Sequence, residues 1–185
     1  MEYFDYLRGS IISDNTGYVM AEENILKVLK DLHISYEIQE HIPLFSEKDA
    51  QNVEITLQGI DVKNLFVKDK KGHYGLVSMD LHKRADLTKI AEALGFGRLS
   101  FCTPEELMTY LHITPGSVTP LALMFDKNCR VQVLFDKNFA GNHVIIHPLR
   151  NTASVSIAFD DLVRFLEHYN HGYSLADVYK DEELC

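Results

Sequence analysis

The stretch Thr114-Pro115-Gly116-Ser117-Val118-Thr119-Pro120 sets two prolines on either side of a glycine and a serine. Proline fixes φ, and glycine adopts φ values that other residues avoid, so this pattern predicts a stiff loop with outward-facing backbone N–H groups. Such a loop can bind a carbonyl oxygen. The competing interpretation is an ordinary turn before the apolar run of residues 121–125.

Length and composition predict a single domain. The chain has 185 residues, of which 46% are hydrophobic, and this is enough for a core without disulfides or metals. It contains no apolar run near the length of about 18 residues that a membrane span needs, and no secretory signal pattern. We therefore expect a cytoplasmic protein without membrane contact. The cysteines Cys102, Cys129 and Cys185 form no CxxC pair, which argues against a disulfide framework and a zinc site.

Charge is distributed unevenly along the chain. The formal net charge of −9 works against nonspecific binding to nucleic acid, and we expect no DNA partner. Residues 61–98 nevertheless carry more lysines and arginines than acidic residues. A basic segment on an acidic chain suits a protein that touches a few phosphates at one end of an RNA. A solvated charged surface is the alternative.

Hydrophobic periodicity and capping residues predict helices at residues 22–32, 86–94, 103–112 and 159–169. Strands are predicted at residues 34–40, 65–68, 74–79, 99–101, 121–125, 131–135, 143–146 and 153–157. Residues 65–79 and 121–135 are each expected to form a hairpin, and residues 46–51 are compatible with a helix.

Because hairpins outnumber βαβ units, the order of elements predicts an α+β domain with a mixed, largely antiparallel sheet. We expect the domain to span residues 21–172. Residues 1–20 are predicted to be an N-terminal extension, and residues 173–185 a C-terminal tail.

Four motifs in a fixed order are VKNLFVKDKKGHYGLVSMD (residues 62–80), GRLSF (97–101), PGSVTP (115–120) and HPLRNTASVSI (147–157). Together they resemble the freestanding aminoacyl-tRNA editing family of the YbaK/ProX type, which is related to the insertion domain of bacterial prolyl-tRNA synthetase. The chain is most similar to the ProX subgroup, which removes alanine from mischarged proline tRNA. The resemblance implies a curved sheet flanked by helices, and a trans-editing hydrolase in which water attacks the aminoacyl ester.

The resemblance also implies roles for individual residues. Lys63 matches the functional lysine of the family, and we expect its ammonium group to anchor a phosphate or the ester carbonyl. His147 matches a pocket histidine that would orient the substrate amine or the attacking water. The backbone of Gly116, Ser117 and Val118 is the predicted site for the developing oxyanion. The competing interpretations are a snorkelling lysine and a structural histidine.

Further substrate contacts are predicted within or beside these motifs, at Asn64, Lys68, Arg98, Val118, Thr119, Asn151 and Thr152. Asn151 and Thr152 have two other interpretations, since they can hydrogen-bond the pocket loops together or simply begin a strand. The predicted partner is the 3′ acceptor end of an aminoacyl-tRNA, with prolyl-tRNA synthetase as a second candidate. The alternative functions are a noncatalytic tRNA-binding or accessory domain of the same fold, and an editing enzyme for cysteine or serine.

The sequence predicts no cofactor and no metal. It lacks the GxGxxG, Walker and GxSxG patterns of nucleotide sites and nucleophile elbows. His143 and His147 would lie about 13 Å apart along a strand, too far for one ion. His168 and His171 stand at the end of a predicted helix, where interaction with the helix dipole explains them.

Overall fold

Eight strands and four α-helices make up the part of the chain that the structure, a computed structural model, describes, namely residues 25–44 and 53–180. The helices are α1 (residues 25–31), α2 (Leu87–Leu94), α3 (Pro104–Leu111) and α4 (Phe159–His168). The strands are β1 (Tyr36–Glu40), β2 (Ile60–Lys68), β3 (Tyr74–Asp80), β4 (Ser100–Phe101), β5 (Val131–Asp136), β6 (His143–Ile146), β7 (Ala153–Ala158) and β8 (Ser174–Ala176). The predicted extension (residues 1–20) and the helix-compatible residues 46–51 lie outside the described residues.

All eight strands belong to one sheet, in the order β1-β7-β6-β2-β3-β5-β8, with β4 paired to β2 off this path. The pairs β1–β7, β6–β7, β2–β3 and β2–β4 are antiparallel, whereas β2–β6, β3–β5 and β5–β8 are parallel. The predicted α+β domain with a mixed sheet is confirmed. Strand β8 comes from the segment that the sequence assigned to a tail. Within the described ranges, no helix is long and apolar enough to cross a membrane.

The two faces of the sheet carry different helices. Successive side chains of a strand point to opposite faces, and Phe66 and Val67 of β2 accordingly belong to different hydrophobic clusters. Helix α2 packs on the face of Val67 through Ile90 and Leu94. Helices α1, α3 and α4 contribute to the larger cluster on the face of Phe66. The sheet is therefore flanked by helices on both sides.

Helix ends follow their capping residues as the sequence predicted. The Asp86 side chain accepts hydrogen bonds at the start of α2, and Gly95 ends that helix with a φ of 68°. At the start of α3, the Thr103 side chain accepts from the Glu106 N–H and the Glu106 side chain accepts from the Thr103 N–H, which is a capping box. Pro104 is the first residue of the helix. These local signals fix where both helices begin.

The β2–β3 hairpin is also confirmed, and Asp69 organises its connection. The buried Asp69 carboxylate accepts hydrogen bonds from the backbone N–H groups of Lys71, His73 and Gly97 and from the His73 ring. Burial raises the pKa of Asp69, but these hydrogen bonds outweigh it and hold the pKa well below its usual value. Asp69 is therefore ionised at neutral pH.

Residues 121–125 do not form the predicted strand. They belong to a 3₁₀ helix, Pro120–Phe125, whose first position is a proline and whose N-cap is Thr119. The Thr119 hydroxyl accepts a hydrogen bond from the Leu121 N–H at 3.4 Å. The predicted second hairpin is therefore wrong, and β5 pairs in parallel with β3 instead. A short apolar run is compatible with either element, and here the Thr-Pro start decides.

Strand β2 has one continuous neighbour and one interrupted edge. Strand β3 pairs with it from Val62 to Lys68. On the other edge, β6 pairs with Ile60 and Asp61, and β4 pairs with Val67 and Lys68. Within the described residues, no strand pairs with the middle of β2 on that edge. This gap is where the predicted site residues meet.

Candidate active site

A cavity of about 340 Å³ opens beside the interrupted edge of β2. The middle of β2 forms one wall, and the end of β6 with His147 forms another. Gly116 and Val118 of the proline-braced loop line the cavity as well. The structure therefore brings together five of the predicted site residues, which are Lys63, Asn64, Gly116, Val118 and His147.

The proline-braced loop begins with a tight turn. The Ser117 N–H donates to the Thr114 carbonyl at 3.1 Å, which places Pro115 second and Gly116 third in the turn. Gly116 has a φ of 88°, as the third residue of a type II turn requires. The turn uses the Ser117 N–H, and the Ser117 side chain is buried. Ser117 does not line the cavity, whereas Gly116 and Val118 do.

Asn64 fastens this loop to β2. Its side-chain NH₂ group donates to the Val118 carbonyl at 2.9 Å, and its Oδ1 accepts from the Ser78 hydroxyl at 2.6 Å. Ser78 lies opposite Asn64 on β3 and is buried. One side chain therefore bridges β3, β2 and the loop. This geometry makes Asn64 a residue that positions the loop.

Lys63 is held at the edge of the cavity by a backbone carbonyl. Its Nζ donates to the Leu81 oxygen at 3.0 Å. The Leu81 N–H in turn donates to the Asp61 carbonyl at 2.8 Å, so the group that holds the ammonium is itself fixed to β2. Lys63 is half-buried. A lysine in this setting presents a localised positive charge to whatever occupies the cavity.

A second cavity, of about 710 Å³, adjoins the first at Lys63. The residues that line both cavities are Ile55, Asp61, Lys63 and Leu81. The second cavity is also lined by His82, Lys83 and Arg84, which belong to the basic segment noted in the sequence. It carries acidic groups too, from Glu54 and Asp61. Lys63 therefore stands between a small cavity and a larger one with a basic rim.

His147 has a defined tautomer. Its Nδ1 lies 2.8 Å from the Ala153 carbonyl, and because a carbonyl can only accept, Nδ1 carries the hydrogen. In the neutral ring, Nε2 is then an acceptor. Burial lowers the pKa of His147, the hydrogen bond to Ala153 opposes this, and the neighbouring His41 adds to the lowering. The ring is therefore neutral at pH 7.

The loop after His147 clasps residues 41–44. The Asn151 side chain donates to the Leu44 carbonyl at 3.0 Å, and the Asn151 backbone carbonyl accepts from the Leu44 N–H at 2.9 Å. The Thr152 carbonyl accepts from the His41 N–H at 2.9 Å. Asn151 and Thr152 thus hydrogen-bond the pocket loops together, one of the interpretations left open by the sequence. Leu44 lines the cavity, so this clasp helps to shape it.

A serine and a histidine beside the cavity were not predicted from the sequence. Ser154 lines it from β7, and its Oγ lies 3.0 Å from His41 Nε2. The rings of His41 and His147 lie close together, with centroids 5.9 Å apart. The only signal in the sequence was a pair of serines, Ser154 and Ser156, alternating with apolar residues in a predicted strand.

Three predicted substrate contacts line neither cavity. Lys68 pairs with Glu106 at 2.5 Å, near the other end of β2 and about 17 Å along an extended strand from Lys63. Arg98 is exposed ahead of β4, and Thr119 is fully buried as the cap of the 3₁₀ helix. We therefore do not carry these three forward as substrate contacts. In the described part of the chain, no group of three or more metal-ligating side chains is placed to hold a metal.

A comparison with protein families shows the family to which the chain belongs. The family of the aminoacyl-tRNA editing domain matches residues 46–165, a range that contains Lys63, Gly116 and His147. The chain belongs to this family, as its motifs predicted.

Individual relatives point in the same direction. The chain is 34% identical over 150 residues to the prolyl-tRNA editing protein ProX of Acetoanaerobium sticklandii, which covers 80% of this chain and 91% of that protein. It is 31% identical over 167 residues to the prolyl-tRNA synthetase associated domain-containing protein 1 of Danio rerio, covering 86% and 91%. A solved structure of a candidate trans-editing enzyme for prolyl tRNA synthetase shares the fold, with a TM-score of 0.64 and 21% identity over 87% of this chain and 98% of that one.

Replacing Asn64 tests the bridge between β2 and the loop. Asn64→Ala should lower the free energy of unfolding by about 1–3 kcal/mol, because the buried Ser78 hydroxyl and the Val118 carbonyl both lose a partner. Urea denaturation measures this change. Asn142→Ala is a matched control, since that exposed asparagine donates to the Asn138 carbonyl at 2.9 Å and should contribute less. Equal losses in the two variants would contradict the bridge.

Proposed function

We propose that this chain is a trans-editing hydrolase that removes alanine from mischarged proline tRNA. One observation carries the proposal, namely that Lys63, His147 and the loop residues Gly116 and Val118 line the same small cavity. Membership of the aminoacyl-tRNA editing family and similarity to a protein named for prolyl-tRNA editing support it.

The reaction is hydrolysis of the ester between the amino acid and the terminal ribose. Water attacks the carbonyl carbon, negative charge develops on the carbonyl oxygen, and collapse of the intermediate releases the ribose hydroxyl. Backbone N–H groups of Gly116 and Val118 are the proposed donors to that oxygen. They are pre-positioned by the type II turn and by Asn64, and one such donor contributes about 2.7–4 kcal/mol. The Ser117 N–H is excluded because the turn uses it.

The two charged or titratable residues have separate tasks. The Lys63 ammonium supplies positive charge beside the ester, where it stabilises the developing oxyanion or holds the terminal phosphate. Neutral His147 offers Nε2 as an acceptor to the substrate amine or to the attacking water. Its hydrogen bond to Ala153 keeps this orientation.

The larger cavity suits the RNA side of the ester. Its basic rim, with Lys83 and Arg84, adjoins Lys63 and can receive the unpaired 3′ end of the acceptor stem. We place the reaction in the cytoplasm, and we include prolyl-tRNA synthetase as a candidate partner because relatives are named for association with it. Contact with the 3′ end alone needs few basic groups, so this proposal is compatible with the net charge of −9.

In this proposal, the small cavity determines which amino acid is removed. Its apolar lining includes Leu44, Ile55, Val62 and Ile146. Alanine is smaller than proline, so a synthetase site for proline cannot reject it by size. A second site that admits alanine and excludes proline corrects this error, which is the logic of a double sieve.

A deacylation panel tests the function. Purified protein is incubated with proline tRNA carrying alanine, cysteine, serine or proline, and the remaining aminoacyl-tRNA is measured over time. We expect the alanyl ester to be lost fastest and the prolyl ester to survive. Faster loss of the cysteinyl or seryl ester would show that the proposed substrate, alanyl-tRNA, is wrong. Tight tRNA binding in a gel shift with no deacylation of any ester would replace the enzyme by a noncatalytic binding domain.

Lys63→Met should reduce kcat/KM for alanyl-tRNA by about 100-fold, the effect expected when one electrostatic donor is removed from the transition state. The measurement is single-turnover deacylation, with circular dichroism to show that the variant is folded. Lys70→Met, at an exposed position in the β2–β3 connection, is the control and should keep full activity. Unchanged turnover in Lys63→Met would remove Lys63 from the mechanism.

The lowered pKa of His147 predicts the pH dependence. Protonation would turn Nε2 from an acceptor into a donor, and because the pKa lies below the ordinary value of 6.5, the neutral form persists below that pH. Activity that depends on His147 should therefore fall only below pH 6.5. Rates are measured across pH and corrected for uncatalysed hydrolysis.

His147→Gln should lower activity and remove this acidic limb. His143→Gln, at an exposed position on β6, is the control and should retain it. A midpoint above pH 6.5, or a profile unchanged by His147→Gln, would show that another group titrates.

A further inference from the structure

We propose that Ser154, oriented by His41, is an acceptor for the α-ammonium group of the aminoacyl ester. The inference rests on the proposed function and adds a substrate contact to the same cavity. Ser154 lines this cavity from β7 and is only 4% exposed. A buried hydroxyl at this position can contact a group that enters the cavity.

The hydrogen-bond partners determine which way the Ser154 hydroxyl points. His41 Nδ1 lies 2.8 Å from the Ile42 carbonyl, so Nδ1 carries the hydrogen and Nε2 is the acceptor of the neutral ring. Ser154 Oγ lies 3.0 Å from this Nε2, so the hydroxyl donates its hydrogen to His41. Its lone pairs then remain as acceptors, and Ser154 presents acceptor character to the cavity.

His147 is oriented in the same way. Both histidines donate Nδ1–H to a carbonyl, and their rings are neighbours with centroids 5.9 Å apart. Ser154 and His147 both line one cavity, and each has an acceptor atom, Oγ and Nε2, that can be offered to a ligand there. An ammonium group has N–H donors and no acceptor, so it matches this pair and a hydroxyl or methyl group matches it less well. The arrangement selects acyl groups that carry an α-amino group.

Strand β7 provides a matched control. Ser156 lies on the same face of the strand two residues further on and is also 4% exposed. Its hydroxyl donates to the Gln58 carbonyl at 2.6 Å, and it does not line the cavity. Removing either hydroxyl deletes one partly buried hydrogen bond. Only Ser154 would touch the substrate.

The test compares two esters of the same proline tRNA, alanyl and propionyl, which differ by the amino group. The full-length chain and its Ser154→Ala and Ser156→Ala variants are assayed on both. Ser154→Ala should reduce kcat/KM for the alanyl ester by about 10- to 100-fold, the range for a hydrogen bond to a charged group, and leave the propionyl ester unchanged. Ser156→Ala should leave the ratio between the two esters as in the unmodified chain.

Each result decides the proposal. A parallel loss on both esters, or an unchanged alanyl rate in folded Ser154→Ala, would overturn it. If Ser154→Ala does not fold, His41→Phe decides, because it removes the Nε2 acceptor; the alanyl-to-propionyl ratio must then fall, and an unchanged ratio overturns the proposal. Failure of the unmodified chain to deacylate any aminoacyl ester would be a failure of the proposed function, and is separate from these results.

Discussion

The interrupted pairing of β2 is the constraint on which the site depends. One edge of the strand is closed by β3 along its length, whereas the other is held by β6 at its start and β4 at its end. A sheet with a complete ladder at this point would leave no room for a substrate. The gap also places Lys63 and Asn64 beside a cavity while their backbone remains fixed by β3.

Side-chain hydrogen bonds take over where the ladder stops. Asn64 attaches the proline-braced loop, and Asn151 attaches residues 41–44. Gln39 of β1 holds the segment of Glu54 and Thr56 through both polar atoms of its amide. The three amides are half-buried, and hydrogen bonds of this kind specify one arrangement more strongly than apolar contact alone. The cavity is therefore a preorganised space lined by loops that are tied down.

The sequence predicted best where the signal was local. Gly95, Thr103 and Glu106 each act within one helical turn, so their residue types alone were sufficient. The strand predicted at residues 121–125 is wrong because a short apolar segment has no decisive period. The sequence also does not show that β5 pairs with the distant strand β3, which rules out the hairpin.

Site residues divided in a similar way. Lys63, Gly116 and His147 lie in motifs and line the cavity. Lys68 and Arg98 also lie in motifs, but membership of a motif and a positive charge do not show where along the sheet a side chain stands. Ser154 and His41 are 113 positions apart and meet only because β1 and β7 pair, so the sequence held no local sign of their contact.

The parallel pairing of β2 with β6 has a consequence for the order in which the chain acquires its parts. Ile60 pairs with Val144, roughly 80 positions later, while β2 and β3 are joined by a five-residue connection. Closing the short loop is entropically far easier, so the hairpin that carries the lysine can exist early. The chamber cannot. The ribosome must therefore synthesise nearly the whole domain before the nascent chain has a cavity that can bind an ester. Until then, the emerging chain carries Lys63 without the rest of the site.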